Sequence, residues 1–367
     1  MRAAAEAPIR AVRGTAFRIP TEGPESDGTL AWDTTTLVLV RVQAGGHEGI
    51  GYSYADRAAA VLVNDTLAPE LEGRDGLKTA ARWADMVARV RNLGHRGIAA
   101  MAISAVDAAL WDLKGKLLQL PLMHLLGGAA RDAIPVYGSG GFTSYDVAEL
   151  ESQLAGWAEQ GMTRVKMKVG REPAQDAARV AAARHAVGDR VELFVDANGA
   201  YGRKQALAMA NRFAQQHVVW FEEPVPSDDV AGLRLLRDRG PAGMDISAGE
   251  YGWELLHFRG LLEAGAVDVL QADATRCGGL TGFMRVAGLA QAFGVPLSSH
   301  CAPSLHVAAC CCAGNAVHLE WFHDHQRIER MVFDGAPQPK DGMLAPDLQR
   351  PGIGLAFRDA DAAEYAL

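Results

Sequence analysis

Three carboxylates, Asp196, Glu222 and Glu250, recur about one βα unit apart, each closing a short apolar run. If those runs are strands of a barrel, the three side chains converge, because the C-terminal strand ends form one face. Three converging anions repel one another unless a cation joins them. Hard oxygen ligands of this kind suit Mg2+, which keeps positions open for water or substrate. One unit earlier, Lys166 and Lys168 stand at i and i+2 and share one side of their strand. Two adjacent ammonium groups destabilise each other's charge, which predicts a pKa lowered from roughly 10.4 toward that of a general base. Asp273 and His300 close two later runs. A carboxylate bonded to one ring nitrogen fixes the tautomer and raises the basicity of the other. Glu320 ends the last run, where in its protonated form it would hydrogen-bond a substrate carboxylate. The set fits one reaction type. The cation binds a carboxylate and stabilises the enediolate formed when the α-proton leaves. Lys168 and His300, on opposite faces, take and return protons.

These side chains need a scaffold that repeats. From about Pro135, short apolar segments alternate with amphipathic helical patterns. The segments are Val136-Tyr137-Gly138-Ser139, Arg164-Val165-Lys166-Met167-Lys168, and Val191 through Phe194-Val195-Asp196. Val219-Trp220-Phe221-Glu222, Asp245 through Gly249-Glu250, and Val269-Leu270-Gln271-Ala272-Asp273 follow. Pro296 through Ser299-His300 and His318-Leu319-Glu320-Trp321 complete eight. Eight such units predict an α/β chain with a (β/α)-barrel, a modified TIM barrel, somewhat shorter than the roughly 250 residues usual for one.

Ahead of the barrel, the pattern is that of a small α+β capping domain. Leu37-Val38-Leu39-Val40-Arg41-Val42 reads as a strand, turned by Gly45-Gly46-His47-Glu48-Gly49, with residues 50–54 returning. Residues 20–33, rich in Gly, Pro, Glu, Asp and Thr, predict a mobile loop that closes as a lid. Helical patterns follow over 58–71, 78–93 and 99–117. The expected divisions are residues 1–130 for the capping domain, 131–330 for the catalytic barrel, and 331–367 for a proline-rich segment that returns to the capping domain. Trp32 and Asp33 in the early loop, Tyr52 and Tyr54 on the hairpin, and His323 and His325 after the eighth strand are the specificity candidates, with Trp32 and Tyr52 foremost.

Composition excludes several other classes. A net charge of −8 disfavours nucleic acid and anionic membrane surfaces as partners. No run of about 18 uncharged apolar residues is present. The start, Met1-Arg2-Ala3-Ala4-Ala5-Glu6, lacks the apolar core of a secretion signal. Five Cys are too few for a disulfide scaffold, and consecutive Cys310, Cys311 and Cys312 suit helix packing better than metal binding. A cytoplasmic homo-oligomer acting on a small carboxylate is the expectation. A metal hydrolase would use His-rich or two-metal sites, whereas one His stands at a strand end here. A non-catalytic binding barrel has no need of two acid/base groups.

Taken together, Val165-Lys166-Met167-Lys168, Val195-Asp196-Ala197-Asn198, Phe221-Glu222-Glu223-Pro224 and Ala248-Gly249-Glu250 resemble the enolase superfamily. Asp273, Ser298-Ser299-His300 and Leu319-Glu320-Trp321 look like its mandelate racemase subgroup. The resemblance extends to Ala105-Val106-Asp107-Ala108-Ala109-Leu110-Trp111-Asp112-Leu113-Lys114-Gly115-Lys116 and Leu126-Gly127-Gly128, and so covers nearly the whole chain. It implies Mg2+ at Asp196, Glu222 and Glu250, Lys168 and the His300–Asp273 dyad as acid/base catalysts, and a mobile capping loop. It further implies that Lys166 and Glu320 engage the substrate carboxylate and that Asn198 contacts a substrate hydroxyl. Asp273 stands where the muconate-lactonising and dipeptide-epimerase branches carry lysine, which argues against both. The resemblance assigns Arg276 no role. Subgroup members with this kit are mostly sugar-acid dehydratases, which yield 2-keto-3-deoxy acids, and less often racemases or epimerases of 2-hydroxy acids.

Overall fold

The computed structural model describes residues 6–367, so Met1 to Ala5 of the signal-sequence reading lie outside the described residues. The chain opens with a three-stranded antiparallel sheet: β1 (Ile9–Ser26), β2 (Ala31–Ala44) and β3 (His47–Tyr54). Helix Ile98–Leu118 packs across this sheet. It is apolar nearly all round because it is covered on two sides, by the sheet and by the barrel helix Gly279–Ala292. Two buried aspartates in it tie the units together. Asp107 accepts from the backbone N–H and hydroxyl of Thr281 on that barrel helix, at 2.9 and 2.7 Å. Asp112 accepts from the N–H groups of Ile50 on β3 and Ile353 in the C-terminal stretch, both at 2.8 Å. The C-terminal stretch also reaches β1, where Leu367 N–H donates to the Ala16 carbonyl at 3.0 Å.

Eight parallel strands follow and close on themselves: β4 (Ile134–Gly140), β5 (Arg164–Lys168), β6 (Glu192–Asp196), β7 (Val218–Glu222), β8 (Asp245–Ala248), β9 (Val269–Ala272), β10 (Leu297–Ser299) and β11 (Ala316–Phe322). β11 pairs with β4. This is the modified TIM barrel with its capping domain. Strands buried on both faces carry continuous apolar runs, as in Leu193-Phe194-Val195, and keep their polar groups for the last position. No helix of the described residues is long and apolar enough to cross a membrane.

The early loop is where the sequence reading fails. Residues 20–26 belong to an 18-residue β1, β2 begins at Ala31, and only the tip between them is irregular. The paired strands tolerate Pro20 and the glycines because the ladder shifts register between Pro20 and Glu25. The hairpin is tethered to the barrel. Thr143 N–H donates to the Ser26 carbonyl at 2.8 Å, its hydroxyl donates to the Asp27 carbonyl at 2.8 Å, and Ser144 Oγ donates to the Pro24 carbonyl at 2.7 Å. Gly28 lies so close to the barrel that a Cβ there would sit 2.5 Å from the Ala197 carbonyl oxygen and 2.7 Å from that of Val169. Composition misled here because turn-forming residues mark the hairpin tip and register shift as readily as a mobile loop.

Candidate active site

The barrel order sets the arrangement. Asp196 and Glu222 end β6 and β7, and Glu250 follows β8 by two residues. The three carboxylates therefore occupy one arc of the ring, with Lys168 on β5 at one flank and His300, just past β10, at the other. Gly249 makes the approach of Glu250 possible: its φ is +136°, and a Cβ there would fall 2.1 Å from the Gln271 carbonyl oxygen.

All three carboxylates are buried, and one oxygen from each lies within 4.8 Å of the others. Glu250 Oε2 has no hydrogen-bond donor among the described residues, and neither does Oε1 of neighbouring Glu223. Buried carboxylate oxygens left without donors cost stability unless a cation satisfies them. An all-oxygen donor set fits Mg2+.

The lysines behave differently from the sequence expectation. Lys166 Nζ lies 2.6 Å from Glu222 Oε1, 2.8 Å from Glu320 Oε1 and 3.5 Å from Asp196 Oδ2. Lys168 Nζ lies 2.5 Å from Asp196 Oδ2. Burial pulls both ammonium groups down, but Glu222 and Glu320 outweigh it for Lys166 and Asp196 outweighs it for Lys168, so both pKa values stand above the ordinary lysine value. Mutual repulsion does not control them, because carboxylates stand nearer to each lysine. A cation seated among Asp196, Glu222 and Glu250 would compete for the same oxygens and so loosen that hold.

Glu320 also departs from expectation. Its Oε1 faces Lys166 and its Oε2 accepts from Cys301 N–H at 2.7 Å. Burial alone would raise its pKa, but Lys166 and His300 drive it well below the usual carboxylate range. Glu320 is thus an ionised partner of Lys166, and the protonated donor expected from sequence is not what the geometry holds.

His300 Nδ1 lies 2.8 Å from Asp273 Oδ2, and Asp273 Oδ1 accepts from Thr275 N–H at 2.7 Å. Burial opposes a charged ring, yet Glu250 and the Asp273 hydrogen bond raise the His300 pKa above its ordinary value. Nε2 is left toward the cavity, 3.5 Å from Glu250 Oε2 and 3.3 Å from Cys301 Sγ.

A cavity of about 480 Å3 opens over this face, between barrel and capping domain. Lys168, Asn198, Glu250, His300 and Glu320 line it, as do Arg276 and Trp32. Lys166, Asp196, Glu222 and Asp273 lie beneath them, fully or almost fully buried. Asn198 turns its backbone N–H to Asp196 Oδ1 at 2.9 Å, while its own buried Oδ1 lacks a donor among the described residues. Trp32 donates to Glu25 Oε2 at 2.8 Å and packs edge-on against Phe142.

Tyr52 is a correction. It is 1% exposed, its hydroxyl donates to Glu329 Oε1 at 2.6 Å, and it does not line the cavity. Its strand neighbour Tyr54 does, stacked on His325 with ring centroids 3.4 Å apart. The two residues share a face of β3, but only the strand end reaches the mouth. The His pair divides likewise: His325 lines the cavity, while His323 points to Glu22 at 3.2 Å. Asp33 is exposed and borders an outer groove. Thr34, Thr36, Tyr251, Cys301 and Phe322 also line the cavity and carried no signal in the sequence reading. The signal that could have found two of them is adjacency: Cys301 directly follows His300, and Tyr251 directly follows Glu250. Arg276 donates to the Glu250 carbonyl at 3.2 Å and to its Oε1 at 3.4 Å, so it braces the third carboxylate.

Comparison with known proteins follows the same division. Residues 16–127 match the mandelate racemase / muconate lactonizing enzyme N-terminal domain, and residues 149–362 match the enolase C-terminal domain-like family. A 3,6-anhydro-alpha-L-galactonate cycloisomerase of Streptomyces coelicolor is 34% identical over 95% of this chain and 97% of its own. An arabinonate dehydratase of Saccharolobus solfataricus is 31% identical over 88% of this chain and 87% of its own. Among solved structures, a mandelate racemase/muconate lactonizing enzyme-like protein from Rubrobacter xylanophilus superposes with a TM-score of 0.96 at 52% identity, over 98% of this chain and 100% of that one. A racemase from Streptomyces coelicolor with bound magnesium gives 0.92 at 32% identity, over 98% and 100%.

Proposed function

Because this chain belongs to the mandelate racemase / muconate lactonizing enzyme family of the enolase superfamily, we propose that it is a magnesium-dependent lyase that dehydrates a sugar acid to a 2-keto-3-deoxy acid. The observation that carries the reading is the ring order, with a carboxylate arc flanked by a lysine on β5 and an Asp-paired histidine beyond β10.

The roles follow from position. Asp196, Glu222 and Glu250 would hold the Mg2+, whose charge would offset the second negative charge that a carboxylate acquires as its α-proton leaves. Lys166, bridging Glu222 and Glu320, presents a fixed positive charge beside the same carboxylate. Lys168 removes the α-proton. His300, charged through its hydrogen bond to Asp273, gives a proton to the 3-hydroxyl as the C3–O bond breaks and water departs. The resulting enol tautomerises to the 2-keto acid, so the net change is loss of one water. Asn198 orients a substrate hydroxyl, and Trp32 closes the cavity from above. A substrate of opposite configuration at the α-carbon would present its proton to His300 instead, with Lys168 as the acid.

A racemase of a 2-hydroxy acid needs the same pair of groups, and one structural relative is a racemase. Products separate the two readings. Screening acid sugars with the magnesium-loaded protein for 2-keto acid should give turnover of at least one. Inverted 2-hydroxy acid with no keto product would select the racemase.

A further inference from the structure

We infer that the sugar acid is a monoacid, with an uncharged end opposite its carboxylate, and that matched diacids are rejected. This rests on the sugar-acid reading above and narrows it. The charge distribution around the cavity carries the argument. Of the described residues that line it, the capping domain contributes no Lys, Arg or His. That wall includes the apolar Leu30, Trp32, Ile98 and Met101 together with Thr34 and Thr36. It also carries two carboxylates, Asp27 and Asp56, each with one oxygen accepting from the backbone of its own turn.

Among the described residues, every cation lining the cavity is on the barrel side. Lys168 is held by Asp196 at 2.5 Å. Arg276 is held by Glu250 Oε1 at 3.4 Å and Asp273 Oδ2 at 3.7 Å. His300 faces Asp273. His325 stands nearer the capping wall, stacked on Tyr54, but its Nδ1 accepts from the Ala302 N–H at 3.4 Å, so that nitrogen carries no proton. Neither arginine bonded to the hairpin lines the cavity: Arg171 donates to the Leu30 carbonyl, and Arg327 pairs with Asp324 while reaching the Pro20 carbonyl.

A substrate carboxylate anchored at the barrel side therefore extends its other end toward a wall of apolar groups, hydroxyls and anions. A second carboxylate there would lose its water without gaining a donor of opposite charge, next to Asp27 and Asp56. A terminal hydroxymethyl, methyl or ring end meets no such penalty, and threonine hydroxyls and apolar side chains suit it.

The test compares matched pairs that share a hydroxyl configuration and differ only in the terminal carbon, an aldonate against the corresponding aldarate. Both kcat/KM and the Kd of the magnesium-loaded protein are measured by keto-acid assay and calorimetry. The aldonate should be favoured by tenfold or more in each. Equal or tighter handling of the aldarate overturns the inference. Absence of keto acid from every pair would count against dehydration alone, because the Kd ratio still decides the preference. A gain-of-charge variant checks the cause. Ile98→Arg, at a partly exposed wall position, should raise the aldarate-to-aldonate Kd preference at least tenfold, and an unchanged ratio would show that the wall's charge is not what selects.

Discussion

His300 Nδ1 and Asp273 Oδ2 lie 2.8 Å apart, on residues that follow β10 and β9, and the second carboxylate oxygen of Asp273 is fixed by Thr275 N–H at 2.7 Å. With both Asp273 oxygens engaged, the imidazole is held in one orientation, with Nε2 toward the cavity. Asp273→Asn keeps the shape but removes the negative charge that holds the proton on Nδ1. We expect kcat to fall by roughly 10²- to 10⁴-fold with little change in KM. An equal loss carried entirely by KM would mean that Asp273 shapes binding instead.

The carboxylate arc makes a separate prediction. Glu250 Oε2 is buried and lacks a donor among the described residues, and Arg276 braces the other oxygen. Glu250→Gln replaces one anionic ligand by a neutral amide in a site built around three. Calorimetric titration of chelator-stripped protein should show Mg2+ affinity lowered by at least tenfold, while the circular dichroism spectrum stays that of the parent. Undiminished affinity would place the ion elsewhere.

Glu25 supplies a pH dependence outside the metal site. It is 2% exposed and accepts from Trp32 Nε1. Burial and nearby Asp324 outweigh that hydrogen bond and push its carboxyl from 4.5 up to about 8. Between those two values the folded chain keeps a proton that the unfolded chain releases. The stability that Glu25 contributes is therefore full below about pH 4.5 and is lost as pH rises through about 8. Thermal midpoints from about pH 5 to about pH 9 should decline more steeply in the parent than in Glu25→Gln. Identical profiles would mean that the hairpin tolerates the ionised carboxylate.

Much of this site was legible in the sequence because barrel strands end where chemistry begins. Asp196, Glu222, Asp273, His300 and Glu320 each close an apolar run or follow it directly, and strand-end spacing alone brings them to one face. What the sequence did not disclose was set by contacts distant along the chain. Tyr52 and Tyr54 are indistinguishable as residues, and only the position of Glu329 on a helix 277 residues away captures one of them. The protonation of Glu320 turned on Lys166, from another strand. The long β1 was hidden by prolines and glycines that sit at a register shift and at a hairpin tip pressed against Ala197 and Val169. Any movement of this hairpin away from the barrel must break the hydrogen bonds at Thr143 and Ser144. Thr143→Val should accordingly speed hydrogen exchange in residues 24–30, and exchange no faster than in the parent would mean that the Thr143 hydroxyl does not hold the hairpin down.

The division of labour between Lys168 and His300 is the core of the account, and one variant separates their roles. His300→Asn is loaded with Mg2+ and incubated in deuterated water with the best sugar acid, and NMR follows both keto acid and the α-hydrogen. The account predicts that the keto acid disappears while Lys168 still exchanges the α-proton of unreacted substrate for deuterium. Dehydration proceeding undiminished in that variant would contradict it.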